Sequence, residues 1–326
     1  MNIVLSGSIA FDYLMTFPGY FSDHFLPDHL EHISLSFLVD SMVRQRGGVA
    51  PNIAYTLALL GEHPRLMGTV GEDFAEYHQA LESVGVDLSA VRVIPGEYTA
   101  SFFANTDRSN AQIASFYPGA MRHAGDLSLY QLKDPRPDLV VISPNDPRAM
   151  IRHVTECQEM QIPYLYDPSQ QLPRLQDSEL RLGVERAWAL FVNDYEFGLI
   201  QKKTKLAARE VFEKTQFTVV TYGEQGSIIY TRLGESGTGS SIHIPVVKPQ
   251  QITDPTGVGD AFRGGFLAGY SHGLEWVTCG RMGALAATYC LEQQGPQGHT
   301  YTPAEFITRF RENFDDGGKL DQLMGD

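Results

Sequence analysis

Cysteine is scarce in this chain, three residues in 326, and Cys157, Cys279 and Cys290 carry no CxxC spacing. That excludes a disulfide framework and a zinc site of ordinary ligand spacing, and it points to buried thiols in a reducing compartment. Positive charge is also short: 25 Lys and Arg stand against 39 Asp and Glu, a formal net charge of −14. Nucleic acid and anionic membranes need concentrated Lys and Arg, so neither is expected as a partner. A small anionic substrate is not excluded, because a local cradle of N–H groups can bind phosphate inside an acidic protein. No apolar run approaches the roughly 18–20 residues of a membrane helix. The start, MNIVLSGSIAFDYLM, lacks the basic opening of a secretion signal and reads as a strand. The expected location is the cytoplasm. Internal repeats, heptads and low-complexity tracts are missing too.

What is present is ordinary globular material, 43% hydrophobic and 20% charged, in a chain long enough for one large domain or two. Residues 2–5 form a short apolar run ending at Ser6-Gly7-Ser8, the form of a buried strand delivering a loop. Asp12 follows near that strand's C-terminal end, the edge where ligands collect in open α/β sheets. Residues 16–44 mix aromatic, acidic and His residues with an alternation at Ile33, Leu35 and Phe37; they predict an exposed loop and a strand or two outside the main sheet. His24, His29 and His32 in that stretch fit no compact metal-ligand spacing. Residues 46–52, RGGVAPN, open a helix predicted over 53–61. A strand at 66–70 and a helix at 74–84 follow, and then a second β island, 91–103 with a hairpin partner at 111–117.

From Asp138 the α/β rhythm is plain. Strands are predicted at 139–143, 164–167, 189–193 and 218–221, with helices at 147–159, 178–185 and 206–214. Residues 228–231 and 242–246 predict a hairpin across a Gly/Ser loop, 234–241. Helices follow at 261–272, 275–292 and 303–313, and residues 315–326 read as a frayed end. Alternating strands and helices imply a mostly parallel sheet covered on both faces.

The stretch at 252–270, ITDPTGVGDAFRGGFLAGY, is the centre of the chemistry. Asp254-Pro255-Thr256-Gly257-Val258-Gly259-Asp260 predicts a tight turn running straight into a buried helix. Such a turn aims backbone N–H groups outward at a helix start, where the macrodipole favours negative charge. A carboxylate there, Asp260, would repel a resting phosphate and makes better sense as a base acting on a hydroxyl. The plainer alternative is a strand–helix connection with Asp260 stabilising the helix start. The turn is neither a Walker A loop nor GxGxxG. Gly47, Gly48 and Asn52 allow close backbone approach to a ligand, or simply a turn and a helix start. Asn193 and Glu196 read as a site or as a solvated loop, and Thr221, Gly223 and Gly226 as a ligand loop or a plain turn.

Four of these stretches together resemble the ribokinase-like, PfkB-type carbohydrate and nucleoside kinases. DPTGVGD is similar to the family's DTxGAGD signature, with Pro255 and Val258 as departures. RGGVAPNIAYTLALLG resembles the N-terminal signature, NDYE at Asn193, Asp194, Tyr195 and Glu196 its NxxE string, and TYGEQGS its T-x-G-x-x-G nucleotide loop. The resemblance implies one kinase domain over residues 1–326, a three-layer α/β/α sandwich. A β-sheet lid would be built from two excursions, about 13–45 and 97–118. It implies transfer of the ATP γ-phosphate to a hydroxymethyl group, with Asp260 as base and the N–H groups of Gly257, Val258 and Gly259 as anion hole. Asp12, Gly47, Gly48 and Asn52 would bind substrate; Asn193, Glu196, Thr221, Gly223 and Gly226 would serve the nucleotide. Glu196 would act on Mg2+ through water, while Asp254 and the Thr256 carbonyl resemble the start of a monovalent-cation (K+) site. A homodimer through the lid is implied by the same analogy.

Within the family, TDPTGVGDAFRGGFLAGY with Arg263, YDPSQQLP at 166–173 and FVNDYEF at 191–197 resemble archaeal-type nucleoside kinases of the adenosine-kinase side. The acceptor expected is therefore the 5'-hydroxyl of a ribonucleoside, adenosine-like or broad. A plain sugar, such as ribose or fructose, is the alternative, and a non-catalytic sugar or nucleoside sensor is the alternative of a different class. The aromatics Phe17, Tyr20, Phe21, Phe25, Phe37 and Phe103 would stack a nucleobase or pack the lid.

Overall fold

The structure is a computed structural model that describes residues 1–25, 35–232 and 240–324. His29, His32, Ile33 and nearly all of the 234–241 loop lie outside these residues. Strands named here are β1 (Ile3–Ser6), β2 (Ala10–Thr16), β3 (Ser41–Gly47), β4 (Arg65–Val70), β5 (Asp87–Val93), β6 (Ala100–Thr106) and β7 (Gln112–Tyr117). They continue with β8 (Leu139–Ile142), β9 (Tyr164–Tyr166), β10 (Ala189–Asn193), β11 (Phe217–Thr221), β12 (Ser227–Thr231) and β13 (Ser241–Ile244). The helices are α1 (Val49–Leu59), α2 (Ala75–Ser83), α3 (Pro147–Met160), α4 (Asp177–Glu185), α5 (Asp194–Thr204), α6 (Ala208–Lys214), α7 (Val258–Ser271), α8 (Trp276–Leu291) and α9 (Pro303–Asn313).

Nine strands form one sheet in the order β13-β12-β11-β10-β9-β8-β1-β4-β5. All neighbours from β11 to β5 are parallel, and only β12 is reversed, pairing antiparallel with β11 on one side and β13 on the other. Segments such as LVVI and ALFVN are apolar without alternation because both faces are covered. Ile3, Leu5, Leu139 and Val141 pack on one side with α1, α2, α7, α8 and α9. Val4, Val140 and Ile142 pack on the other with α3, α4, α5 and α6. These are the three layers expected. Among the described residues no helix is long and apolar enough to cross a membrane.

A second sheet of four strands, β3-β2-β6-β7, projects from the strand edge of the main one. Its middle pair is parallel and its outer pairs antiparallel. Asp12 sits within this sheet, on β2, rather than beside the end of β1.

Four sequence expectations change. The β pattern at 91–103 splits: β5 forms the edge of the main sheet and β6 joins the small one beside β2, because Pro95-Gly96 turns the chain between them. The Ile33, Leu35, Phe37 alternation yields no strand over 35–40; Phe37 packs edge-on to Phe17 and Phe21 instead. The helix α5 was hidden inside the NDYE motif. The end is not frayed as far as Met324: Lys319–Met324 makes a 3-10 turn that buries Leu320 and Leu323. Asp316, held by both Arg311 nitrogens at 3.0 Å, anchors that turn.

Candidate active site

The candidate site residues gather at the C-terminal edge of the parallel strands. Helix α7 starts there without a side-chain cap: Gly257 is its N-cap, at φ 79°, ψ 0°. A Cβ at Gly257 would lie 2.3 Å from the Pro296 Cβ, so both conformation and space demand glycine. Among the described residues, the N–H groups of Gly257 and Gly259 have no protein partner, and Val258 has only a long bond of 3.4 Å to the Pro255 carbonyl. Two donors are therefore open at a helix N-terminus, and a third is only weakly engaged.

Asp260 stands in the first turn, half-buried, its Oδ2 accepting from the Asn52 amide at 2.8 Å. Burial pushes its carboxyl up to about 6, against the pull of Arg263 and the Asn52 hydrogen bond; Glu196 adds to the rise. Asp12 behaves alike, pushed up to about 6 by burial and by the charges of Asp260 and Asp254. The charge of Asp260 thus reaches Asp12, so a strand of the small sheet and a helix of the main body share one electrostatic site. Gly47 lies directly against Asp12: a Cβ there would meet the Asp12 Oδ2 at 2.5 Å. Gly48, at φ 96°, caps α1 and brings its backbone against the Ser8 carbonyl, which places Asn52 one turn on, facing Asp260.

Asp254 has both oxygens engaged. Oδ1 accepts from the Thr256 N–H at 2.9 Å; Oδ2 accepts from Gln294 Nε2 at 2.8 Å and from the Gly295 N–H at 3.0 Å. It fastens the α8–α9 connection to the turn. The Thr256 carbonyl faces the Cys290 thiol at 3.4 Å.

Asn193 and Glu196 first serve the helix. The Glu196 N–H donates to Asn193 Oδ1 at 2.8 Å, and the Asn193 N–H donates to Glu196 Oε2 at 2.9 Å, a reciprocal capping box. Glu196 keeps Oε1 nearly free, with only the Ser169 hydroxyl at 3.3 Å. Thr221 ends β11 beside Asn193, its register partner. Gly223 and Gly226 turn β11 into β12, closed by Tyr222 N–H to the Gly226 carbonyl at 2.8 Å. This loop shares the strand edge but makes no contact with Asp260.

The sequence analysis gave no role to the most buried charges of the site, although Arg263 and the stretch holding Asp167 carried part of the resemblance. Arg263, one turn after Asp260, donates to the Gly259 carbonyl and to Asp167 Oδ1, both at 2.9 Å, with its Nε 2.7 Å from Asp167 Oδ2. Asp167 is wholly buried, and burial pushes its carboxyl up to about 7 even with the guanidinium beside it. Gln297 and Tyr77, behind Asn52, were missed as well. In sequence, 96 residues part Asp167 from Arg263, so only the unusual placing of a charge inside an apolar helix marked Arg263. A cavity of about 380 Å³ between β3 and residues 294–298 includes Gln297 but neither Asp12 nor Asp260.

The aromatics on and around the small sheet divide. Phe17, Phe21, Phe37 and His24 pack on one another. Phe103 stacks on Tyr13 at 4.8 Å, on the face opposite Asp12. Register partners share a face, so the residues on Asp12's side are Leu14, Val43, Phe102 and Phe116.

A sequence model described as pfkB family carbohydrate kinase matches residues 15–303 of the chain. The chain belongs to the pfkB family. It is 30% identical over 312 residues to a nucleoside kinase of Methanothermobacter thermautotrophicus, covering 95% of each chain. The solved structure of the Burkholderia thailandensis nucleoside kinase in complex with inosine superposes with a TM-score of 0.85 at 38% identity, over 96% of this chain and 98% of that one. The Methanocaldococcus jannaschii nucleoside kinase superposes with a TM-score of 0.84 at 27% identity, over 96% and 99%. The ribokinase-like fold expected from the motifs is thus the fold of the chain.

Proposed function

We propose that this pfkB-family kinase transfers the γ-phosphoryl group of ATP to the 5'-hydroxyl of a ribonucleoside. The observation that carries this reading is the start of α7: open N–H groups at Gly257 and Gly259 and a weakly engaged one at Val258, beside Asp260, whose carboxyl is pushed up to about 6. Phosphoryl transfer asks for positioning and charge stabilisation more than for covalent help. Asp260 accepts the proton of the 5'-hydroxyl as that oxygen attacks the γ-phosphorus. The bond to the bridging oxygen breaks and ADP leaves with the electron pair. The three N–H groups stabilise charge on the transferring group. Arg263 holds the Gly259 carbonyl, and so the orientation of that turn.

Asp12, Gly47, Gly48 and Asn52 bind the ribose hydroxyls. The apolar face of Leu14, Val43, Phe102 and Phe116 covers the base, and this favours a nucleoside over a free sugar. Similarity to a kinase solved with inosine supports the same choice. Asn193, Glu196, Thr221, Gly223 and Gly226 line the nucleotide. Among the described residues there is no cluster of three or more His, Cys, Asp or Glu fit to cage a metal. A lone carboxylate with a free oxygen, Glu196, suits magnesium held mainly by phosphates and water. Bound there, Mg2+ supplies positive charge to the phosphates. Asp254 and the Thr256 carbonyl are the residues that would meet a potassium ion, although three N–H donors already satisfy much of Asp254. The small sheet acts as the lid that excludes water. Its edge strand β7 is exposed along its length and is where we expect two copies to meet. The cysteines are all free and buried, in keeping with the cytoplasm.

The test is ADP release from ATP and Mg2+, with and without K+, against a panel of nucleosides, ribose, fructose and fructose phosphates. Turnover with nucleosides is expected. Turnover with free sugars alone would refute the acceptor, and binding without any turnover would make the protein a sensor.

A further inference from the structure

Behind the cleft a chain of hydrogen bonds runs from the small sheet to Asp260. The Tyr77 hydroxyl donates to the Gly47 carbonyl at 3.0 Å; Gln297 Nε2 donates to the Tyr77 oxygen and, at 2.8 Å, to Asn52 Oδ1; Asn52 Nδ2 donates to Asp260 at 2.8 Å. Tyr77, Gln297 and Asn52 are 0%, 6% and 5% exposed, so water does not offer them other partners. The direction of the whole chain follows from its far end. A backbone carbonyl only accepts, so Tyr77 spends its one proton on Gly47. Burial pushes the phenol pKa up, which keeps that proton in place. The Tyr77 oxygen then only accepts, so Gln297 turns its NH2 inward. Asn52 must meet that NH2 with its carbonyl, and its own NH2 is left facing Asp260.

Resting on the reading of Asp260 as the base, we infer that Gln297 and Tyr77 are positioning residues that fix the orientation of the Asn52 amide. An N–H, and not a carbonyl, is thereby presented to the base. With the amide reversed, the Asn52 carbonyl would face the carboxylate and Asp260 would be usable only after protonation, which is no base at all. Gln297 and Tyr77 do not touch the reacting atoms; acting through Asn52, they set which protonation state of Asp260 is favoured.

Tyr77→Phe tests this without altering any charge. It frees Gln297 to turn its carbonyl inward, and Asn52 then reverses in part of the molecules. Gln297→Glu goes further, since a carboxylate at 297 accepts from the Asn52 NH2. The readout is the single-turnover transfer rate with saturating ATP and nucleoside from pH 5 to pH 8. Both variants are expected to move the acidic limb to higher pH, Gln297→Glu by about one unit and Tyr77→Phe by less. The other groups that face Asp260 stay as they are: Asp12 from β2, Asp167 and Arg263, Glu196 from α5 and Cys290 from α8. A purely structural role for Tyr77 and Gln297 lowers the plateau of Tyr77→Phe and leaves its limb in place. An unmoved limb in Tyr77→Phe overturns the inference while Asp260 remains the base, because the added charge of Gln297→Glu shifts the limb by repulsion alone. Undiminished turnover by Asp260→Asn overturns the base assignment, and the inference falls with it.

Discussion

Removing Arg263 gives the most quantitative test of the site. In Arg263→Met the side chain keeps its length and its apolar stem, but Asp167 loses its hydrogen bond and its neighbouring charge while staying 0% exposed. Truncating one partner of a buried pair costs about 3–5 kcal/mol. Asp167 limits the loss by taking up a proton, since its pKa already stands at about 7 with the cation present. The deficit therefore belongs at the lower end near pH 7, shrinks toward pH 5 and grows toward pH 8. Unfolding entropy near 2.1 cal/mol/K per residue makes one kcal/mol worth about 1.5 °C in a chain of this length, so Tm drops by about 4–7 °C. Thermal unfolding by circular dichroism at pH 5, 7 and 8 measures it. In the double variant Arg263→Met with Asp167→Leu no charge is left to bury, and most of the lost Tm returns. A single variant within 1 °C of wild type, or a double variant no better than the single one, would refute this account of the pair.

Three further outcomes are expected. Asp260→Asn retains nucleoside and ATP binding by calorimetry but loses transfer by about 10²–10⁴-fold, the usual worth of a general base. The same variant unfolds at a higher temperature than wild type above pH 6: the folded pKa of Asp260 lies above its unfolded value, so the acid destabilises the fold increasingly as pH rises from about 4 to about 6. In wild type, kcat/KM falls below about pH 6 with a slope steeper than one, because Asp12 and Asp260 both protonate there; Asp12→Asn returns the slope to one, and a slope of one in wild type would remove Asp12 from ionised binding. Gly257→Ala forces an alanine to φ 79° against Pro296. The backbone strain alone costs about 1–3 kcal/mol. It is expected to abolish transfer, and an active, stable variant would show that the turn tolerates a side chain.

The parts of this protein that could be read from sequence are those whose cause is local. A glycine that only a left-handed turn explains, an Asn three residues before a Glu, and LVVI or FTVVT buried on both faces each carry their reason within a few residues. Strand β5 was obscured because it lies at the sheet edge, pairs with β4 through a register shift and has no uniform burial. Phe103 was singled out where Phe102 shares the face of Asp12; a strand changes face at every residue, and the turns that set that parity lie far from it. Asp167 with Arg263, and Gln297 with Tyr77 and Asn52, are brought together only by tertiary folding, over separations of 96, 220 and 245 residues. Leu320 and Leu323 looked like a tail because their partners are on other elements.

The capping box at Asn193 and Glu196 changes how descendants of such a protein should be read. Glu196 satisfies the start of α5 whether or not a nucleotide is ever bound, so purifying selection for folding alone would keep it. Asp260 has the opposite standing: its burial is a burden on the fold, offset only through the role of base proposed for it. In a lineage drifting from enzyme to sensor, the NxxE string would persist as a fossil, and the aspartate would be among the first residues to go.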